Sequence, residues 1–248
     1  MSETPPWRFL VFFILACFLM KVAGEFIHEV MGHGLFVTIF GGRILHVYIS
    51  PLWPYELSYI RYSPPLGGFE AWQRSLIDGG GIMVCLLISF LIQAVLYLTG
   101  EKGWRINWGI SASLFWLSFW NLISSTGYLI MGGIRPFGDV ANLIEAGILT
   151  RWSALALGLL ILSMGFYMLS LIFRDILMGL GVVRDVGGLR VYLTALWSII
   201  PVITCLNVIG YGQPPIYLML GLIPPIVAYL ITPTLWSVGE PTQGGTQR

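Results

Sequence analysis

Six long apolar runs divide the sequence, and each is long enough to cross a membrane as a helix. We expect the first three at about residues 8–40, 75–99 and 108–131, and three further transmembrane helices within 151–238. Residues 41–72 differ, because they are rich in β-branched and aromatic residues and contain several prolines. This favours short strands or a hairpin over a helix, with an interfacial loop anchored by the aromatic residues as the alternative. The pattern predicts an all-α polytopic membrane protein of about six transmembrane helices, with a short strand-like segment after the first.

Three further features of the sequence add to this outline. Residues 239–248 are polar and are expected to form a tail beyond the last span. Residues 1–150 contain the polar clusters described below and form one predicted functional region, which the three later spans follow. Helix kinks are expected where prolines lie inside the last two apolar runs, at Pro201, Pro224, Pro225 and Pro233.

The composition supports a membrane protein and excludes some partners. The chain is 56% hydrophobic and 10% charged, whereas soluble domains are about 25% charged. A net charge of +1 gives no reason to expect nucleic acid as a partner, so the expected surroundings are the lipid bilayer. Basic residues are slightly more frequent in the loops that lie on the same side of the membrane as the N-terminus, which weakly favours a cytoplasmic N-terminus. The expected location is the cell membrane of a prokaryote.

One polar stretch interrupts the first apolar run, at residues 25–33 with the sequence EFIHEVMGH. It contains two of the chain's three histidines and two of its twelve acidic residues. An ionisable side chain inside a membrane costs at least a few kcal/mol, so such residues are rare and usually functional. Histidine and glutamate also bind zinc and activate its water. The stretch is therefore a candidate metal site, with hydrogen bonding between helices as the alternative.

The spacing of the two histidines requires an irregular helix. His28 and His33 are five residues apart, whereas zinc proteases with the H-E-x-x-H motif place their histidines four apart. In a regular α-helix a step of five rotates the side chain by about 140°, against about 40° for a step of four. We therefore predict a π-type bulge or a break within residues 28–34, which Gly32 and Gly34 make easier.

Other acidic residues leave alternatives open. Glu25, Glu29 and His33 are spaced by four and would share one face of a regular helix. Asp139 follows a glycine- and proline-containing break, and either caps the next helix or supplies the third ligand that two histidines lack. Asp78, near the start of the second apolar run, is a possible polar participant in the site, but we expect it to cap that helix.

Three separated segments resemble the site-2 protease family of intramembrane zinc metalloproteases. They are HEVMGHG at residues 28–34, the glycines at 79–81, and PFGD at 136–139. Their order matches the family, as does the strand-like segment between the first two. The resemblance covers roughly residues 15–150, and the last three spans add nothing to it. It implies a three-helix catalytic core that cleaves a membrane-embedded substrate peptide.

The resemblance also implies roles for individual residues. By position, His28, His33 and Asp139 would be the Zn²⁺ ligands, and Glu29 would be the catalytic base. This chain departs from the family pattern by the additional residue between Glu29 and His33. The expected function is a zinc metalloendopeptidase whose partner is a transmembrane protein or peptide substrate.

Three polar residues are expected to support this site. Glu25 is placed to orient one of the histidine ligands, a role that carboxylates often have. Asn121 or Asn142 is expected to line a water path or to stabilise the developing oxyanion, with hydrogen bonding between helices as the simpler role.

Two other functions are compatible with the same residues. A non-catalytic relative would keep the fold and bind membrane helices without hydrolysing them. An ion- or proton-coupled transporter would use the buried carboxylates as a relay, but the sequence contains no inverted repeat of the kind that transporters have.

Overall fold

The computed structural model describes residues 6–51, 57–101 and 106–238. Within these ranges, six helices are long and apolar enough to cross a membrane: Arg8–Ile39, Ala71–Gly100, Trp108–Ile134, Arg151–Gly179, Val186–Gly210 and Ile216–Val238. They confirm the predicted fold class, and the chain is a multi-pass integral membrane protein. The predicted tail at 239–248 lies outside the described residues.

The first span is not one regular helix. Helix α1 (Pro6–Phe26) continues into a π-helical stretch at Ile27–Gly34, which we call the π segment, and then into α2 (Leu35–Ile39). Strands β1 (Arg43–Tyr48) and β2 (Tyr59–Ser63) follow. They pair antiparallel, so the predicted strand-like segment is a hairpin.

The hairpin is fixed to the helices by an apolar cluster. Its core is formed by the buried side chains of Val37, Phe69 and Ile77, against which Ile44 of β1 and Ile60 of β2 pack. Because these residues come from α2, the hairpin, the loop after it and the start of the next span, the cluster places the hairpin beside the end of the π segment.

Four helices follow the hairpin: α3 (Ala71–Glu101), α4 (Trp108–Ile134), α5 (Gly138–Glu145) and α6 (Arg151–Gly179). Because α3 begins at Ala71, Asp78 lies in its second turn and not at its N-terminus. The prediction that Asp78 caps this helix is therefore wrong.

The described chain divides into two units between Phe166 and Tyr167, within α6. In the first unit α3 packs along α4 and against the π segment, while α1 packs along α4. The short helix α5 packs against α3 and α4. The π segment thus packs against α3, and the first unit contains all of the polar clusters that the sequence singles out.

The second unit contains the end of α6 and four helices: α7 (Val186–Trp197), α8 (Ile199–Tyr211), α9 (Ile216–Gly221) and α10 (Ile223–Val238). Helix α7 packs against α10, and α8 packs against α9. Buried leucines and an indole on one face of α7 form its contribution to the core: Leu189, Leu193, Leu196 and Trp197.

Prolines explain most of the irregular geometry of the last two spans. The fifth span is interrupted at Ser198, three residues before Pro201, and the sixth at Leu222, two residues before Pro224. A proline lacks the N–H that would bond to the carbonyl four residues earlier and its ring clashes there, so the helix breaks in the preceding turn. Pro233, in contrast, lies inside α10 without ending it.

Candidate metal centre

The π segment brings both histidine rings to one side of the first span. Its i→i+5 hydrogen bonding places residues five apart above one another, which a regular α-helix does not. The ring centroids of His28 and His33 are 4.9 Å apart and their Nε2 atoms are 3.2 Å apart. The predicted π-type bulge is confirmed. The set formed by Glu25, Glu29 and His33 required a regular helix here, so the structure does not assemble it.

Glycines of α3 leave the space that the π segment occupies. A Cβ on Gly32 would lie 2.7 Å from the nitrogen of Gly81 and 3.0 Å from the carbonyl carbon of Gly80, so the two backbones are in direct contact. A Cβ on Gly81 would lie 2.5–2.8 Å from three atoms of the His28 ring. Any larger residue at Gly81 would displace this ring. Gly80 and Gly81 therefore allow the backbone of the π segment to approach α3 closely.

The same face of α3 orients the rings. Nδ1 of His33 is 2.6 Å from the carbonyl oxygen of Ile77. A carbonyl only accepts hydrogen bonds, so Nδ1 carries the hydrogen and Nε2 of the neutral ring presents a lone pair. Sγ of Cys85 is 3.9 Å from Nδ1 of His28, which leaves Nε2 of that ring facing His33. Ile77, Gly81 and Cys85 are four residues apart and lie on one face of the helix.

Asp139 completes the cluster from α5. Its Oδ2 atom is 3.2 Å from Nε2 of His28 and 3.4 Å from Nε2 of His33. The predicted convergence of His28 and Asp139 from distant parts of the sequence is confirmed. Phe137 is the N-cap residue of α5, so Asp139 lies in the first turn and its carboxylate faces the rings. Burial raises the pKa of Asp139, but when the imidazole rings carry a hydrogen on Nε2 their hydrogen bonds and positive charge outweigh this and hold the pKa below its usual range.

These three atoms have the separations of ligands around one metal ion. A tetrahedral zinc with bonds of about 2.0–2.1 Å places its ligands about 3.3–3.4 Å apart. The observed separations between the two Nε2 atoms and Oδ2 are 3.2, 3.2 and 3.4 Å. When each ring carries its hydrogen on Nδ1, the buried Oδ2 has no hydrogen-bond donor. Two nitrogen lone pairs and a carboxylate at this distance require a positive charge between them.

Glu29 lies beside the ring nitrogens and is itself buried. One of its carboxylate oxygens lies within 4.8 Å of a ring nitrogen of His28 and of His33. His28, Glu29 and His33 therefore form a possible metal-binding group on their own. The oxygen of Asp139 meets both rings at a shorter distance, which favours Asp139 as the ligand and leaves Glu29 free to contact a bound water.

The structure gives Glu25 and Asn121 other partners. Glu25 forms an ion pair with Lys21 one turn earlier and, among the described residues, reaches neither histidine ring within ion-pair distance. Nδ2 of Asn121 donates to the carbonyl oxygen of Leu117, 2.8 Å away. Its Oδ1 atom is buried without a hydrogen-bond partner. A Cβ on Gly24 would lie 3.9 Å from that oxygen, so Asn121 faces α1 about one turn before His28.

Asn142 lies at the exposed side of the cluster. Its Nδ2 atom donates to Oδ1 of Asp78, 3.1 Å away. The bond joins α5 to α3. Asn142 therefore has the simpler of its two expected roles, a hydrogen bond between helices.

Sequence reasoning did not identify Ile77, Cys85 and Tyr128 as neighbours of the histidines. A signal existed for the first two, since each lies four residues from Gly81 and therefore on the face that approaches the π segment. The ring of Tyr128 stacks on that of His28, with centroids 5.5 Å apart and planes 28° apart. No signal distinguished Tyr128 from the other aromatic residues of α4.

Comparison of the chain with protein-family models, with curated proteins and with solved structures finds no significant match.

Proposed function

We propose that this protein is an intramembrane zinc metalloprotease that hydrolyses a peptide bond of a membrane-embedded substrate, as its resemblance to the site-2 protease family implies. The observation that carries the proposal is the convergence of His28, His33 and Asp139 with the separations of three zinc ligands. Two nitrogens and one carboxylate oxygen are also the donor types of catalytic zinc sites, which leave the fourth position open.

The residues have separate tasks in this proposal. His28, His33 and Asp139 would hold Zn²⁺, which when bound lowers the pKa of a water to about 7 and polarises the scissile carbonyl. Glu29, beside the ring nitrogens, accepts a proton from the attacking water and passes it to the leaving amine. The carbonyl of Ile77 keeps the hydrogen of His33 on Nδ1, so that Nε2 remains a ligand atom.

The hairpin is the proposed holder of the substrate. Both strands contact the π segment, and each strand has the other as its only partner in the described two-stranded sheet. An unpaired strand edge holds an extended peptide through main-chain hydrogen bonds, and only an extended peptide exposes its carbonyl to attack. A transmembrane protein or peptide is the corresponding substrate. We place the protein in the cell membrane of a prokaryote, with a cytoplasmic N-terminus.

Purified full-length protein in detergent tests the proposal. We expect about one zinc per chain and cleavage of a transmembrane test peptide. Glu29→Gln should lower cleavage by about 10²–10⁴-fold, the usual contribution of a general base, and should leave the zinc content unchanged. Zinc binding without cleavage of any transmembrane peptide would favour the non-catalytic relative. Absence of zinc binding would refute the metalloprotease, and loss of zinc in Glu29→Gln would make Glu29 a ligand.

A further inference from the structure

The third ligand is carried by a short helix that needs to be held in place. Helix α5 has eight residues and is connected to α4 by a loop containing Pro136. Apolar contacts dock one side of it. A Cβ on Gly132 of α4 would lie 2.7 Å from Val140, and one on Gly79 of α3 would lie 3.7 Å from Leu143. These contacts fix how close α5 lies to its neighbours, but apolar packing is not directional.

One directional bond complements this packing. Asn142 follows Asp139 by three residues, so the two side chains share a face of α5. Nδ2 of Asn142 donates to Oδ1 of Asp78 on α3, 3.1 Å away. Asp78 is next in sequence to Ile77, whose carbonyl oxygen contacts His33. The bond therefore connects the helix that carries one ligand to the backbone that orients another.

We propose that Asp78 and Asn142 form a polar clip that positions Asp139 against His28 and His33, and so determines how tightly the site binds its metal. The inference rests on the metal site of the proposed function. Both clip residues act through Asp139 as positioning residues. Asn142 is exposed and Asp78 is half-buried, so neither is needed to fill the core.

A set of variants separates the clip from a simple effect of charge. Asp78→Ala, Asn142→Ala and the double variant form a double-mutant cycle. If the two residues act through one hydrogen bond, the effects of the single substitutions on zinc affinity do not add in the double variant. The exchange D78N/N142D keeps the charge and allows the bond to re-form with donor and acceptor reversed. Glu145→Gln is the matched control, because Glu145 is an exposed residue of the same helix.

The first readout is the affinity of the full-length protein for Zn²⁺, measured in detergent by competition with a chromophoric chelator. Loss of a group that orients a ligand typically weakens metal binding by about 10–100-fold. We expect such a loss in each alanine variant, no further loss in the double variant, and recovery to within a few-fold of wild type in D78N/N142D. Single variants that bind zinc like Glu145→Gln, or an exchange variant that stays weak, would overturn the clip.

The second readout does not depend on metal. Hydrogen exchange of the metal-free protein reports opening of α5, and loss of one hydrogen bond should speed the exchange of its amides about fivefold. We expect this in both alanine variants, with reversal in D78N/N142D and no change in α4. If wild-type protein binds no zinc but α5 shows this pattern, the proposed function fails and the clip stands. If zinc binds but α5 exchanges equally in all variants, the clip fails and the proposed function stands.

Discussion

Both units of the protein contain interrupted helices, but the interruptions have different causes. In the second unit the helix breaks at Ser198 and Leu222 precede prolines by two or three residues. In the first unit no proline lies in the π segment, and the irregular turn packs against the glycines of α3. A proline break follows from local sterics, because the missing N–H acts wherever the helix lies. The π segment depends in addition on a neighbouring helix that admits it.

Individual polar side chains of the two units can be compared in the same way. In α8, Nδ2 of Asn207 donates to the carbonyl of Ile203 one turn earlier. In α10, the hydroxyl of Thr232 donates to the carbonyl of Ala228. Such bonds within one helix satisfy a polar group without involving another element. In the first unit His28, His33 and Asp139 meet from two elements and leave lone pairs facing one point. Convergence of this kind indicates a binding site, whereas local satisfaction indicates a structural role.

The largest effect is expected from removing the residue that makes the histidine spacing five. Deletion of Met31 restores a spacing of four between the histidines and rotates the following helical residues by about 100°. This moves Val37 out of its buried position and Gly32 away from α3. We expect complete loss of zinc binding and cleavage, measured by metal analysis and peptide hydrolysis. Pro201→Ala, at the break in the other unit, should leave zinc affinity within about twofold. A deletion variant that binds zinc more tightly would show that the additional residue is a defect.

Metal removal should affect stability next most strongly. A ligand present at 100 times its dissociation constant stabilises the folded state by about 2.7 kcal/mol. Treatment with a chelator should therefore lower the thermal midpoint of the detergent-solubilised protein and abolish cleavage, and added zinc should restore both. Asp139→Ala should remove the dependence of the midpoint on zinc. A midpoint that does not change with zinc in wild-type protein would contradict the metal site.

Glycine substitutions compare the packing of the two units directly. Gly81→Ala places a methyl group 2.5–2.8 Å from atoms of the His28 ring, and overpacking of this kind costs about 1–3 kcal/mol. Among the described residues, apart from its chain neighbours and the backbone of its own helix, no atom lies within 4 Å of a Cβ built on Gly210 of α8. Gly210→Ala should therefore stabilise the protein by about 0.5–1 kcal/mol, the usual gain in a helix. Denaturation midpoints measure both effects, and equal effects would show that α3 does not confine the ring.

The smallest effect is expected at Tyr128. Tyr128→Leu removes the ring that stacks on His28, an interaction worth about 0.5–1.5 kcal/mol. Zinc affinity should fall by no more than about tenfold, while Tyr128→Phe, which keeps the ring, should bind like wild type. If Tyr128→Phe abolishes cleavage with zinc still bound, the hydroxyl has a chemical role that stacking does not explain.

Much of the site was predictable because its parts lie close in sequence. The five-residue spacing of His28 and His33 fixes an angle on a helix, and if both rings are to reach one metal, that angle requires a π-type bulge or a break. The contacts of Asp78 and Glu25 were not predictable in the same way. Asp78 was assigned as a helix cap because it lies near the start of the second apolar run, and only the contact with Asn142 shows its actual partner. Glu25 lies four residues after Lys21, and the sequence did not decide between an ion pair with Lys21 and the expected role in orienting a histidine ligand.

The sequence by itself determined the six apolar helices, the irregular geometry near Pro201 and Pro224, and the type of chemistry available to residues 25–33. Each follows from local rules, since side-chain periodicity, proline sterics and the cost of charge in lipid need no knowledge of neighbouring helices. The tertiary structure decided that Asp139 faces the histidines, and that Ile77 and Cys85 contact their outer nitrogens. These contacts join residues more than 40 positions apart, and they depend on how α3, α4 and α5 pack together, which no local pattern encodes.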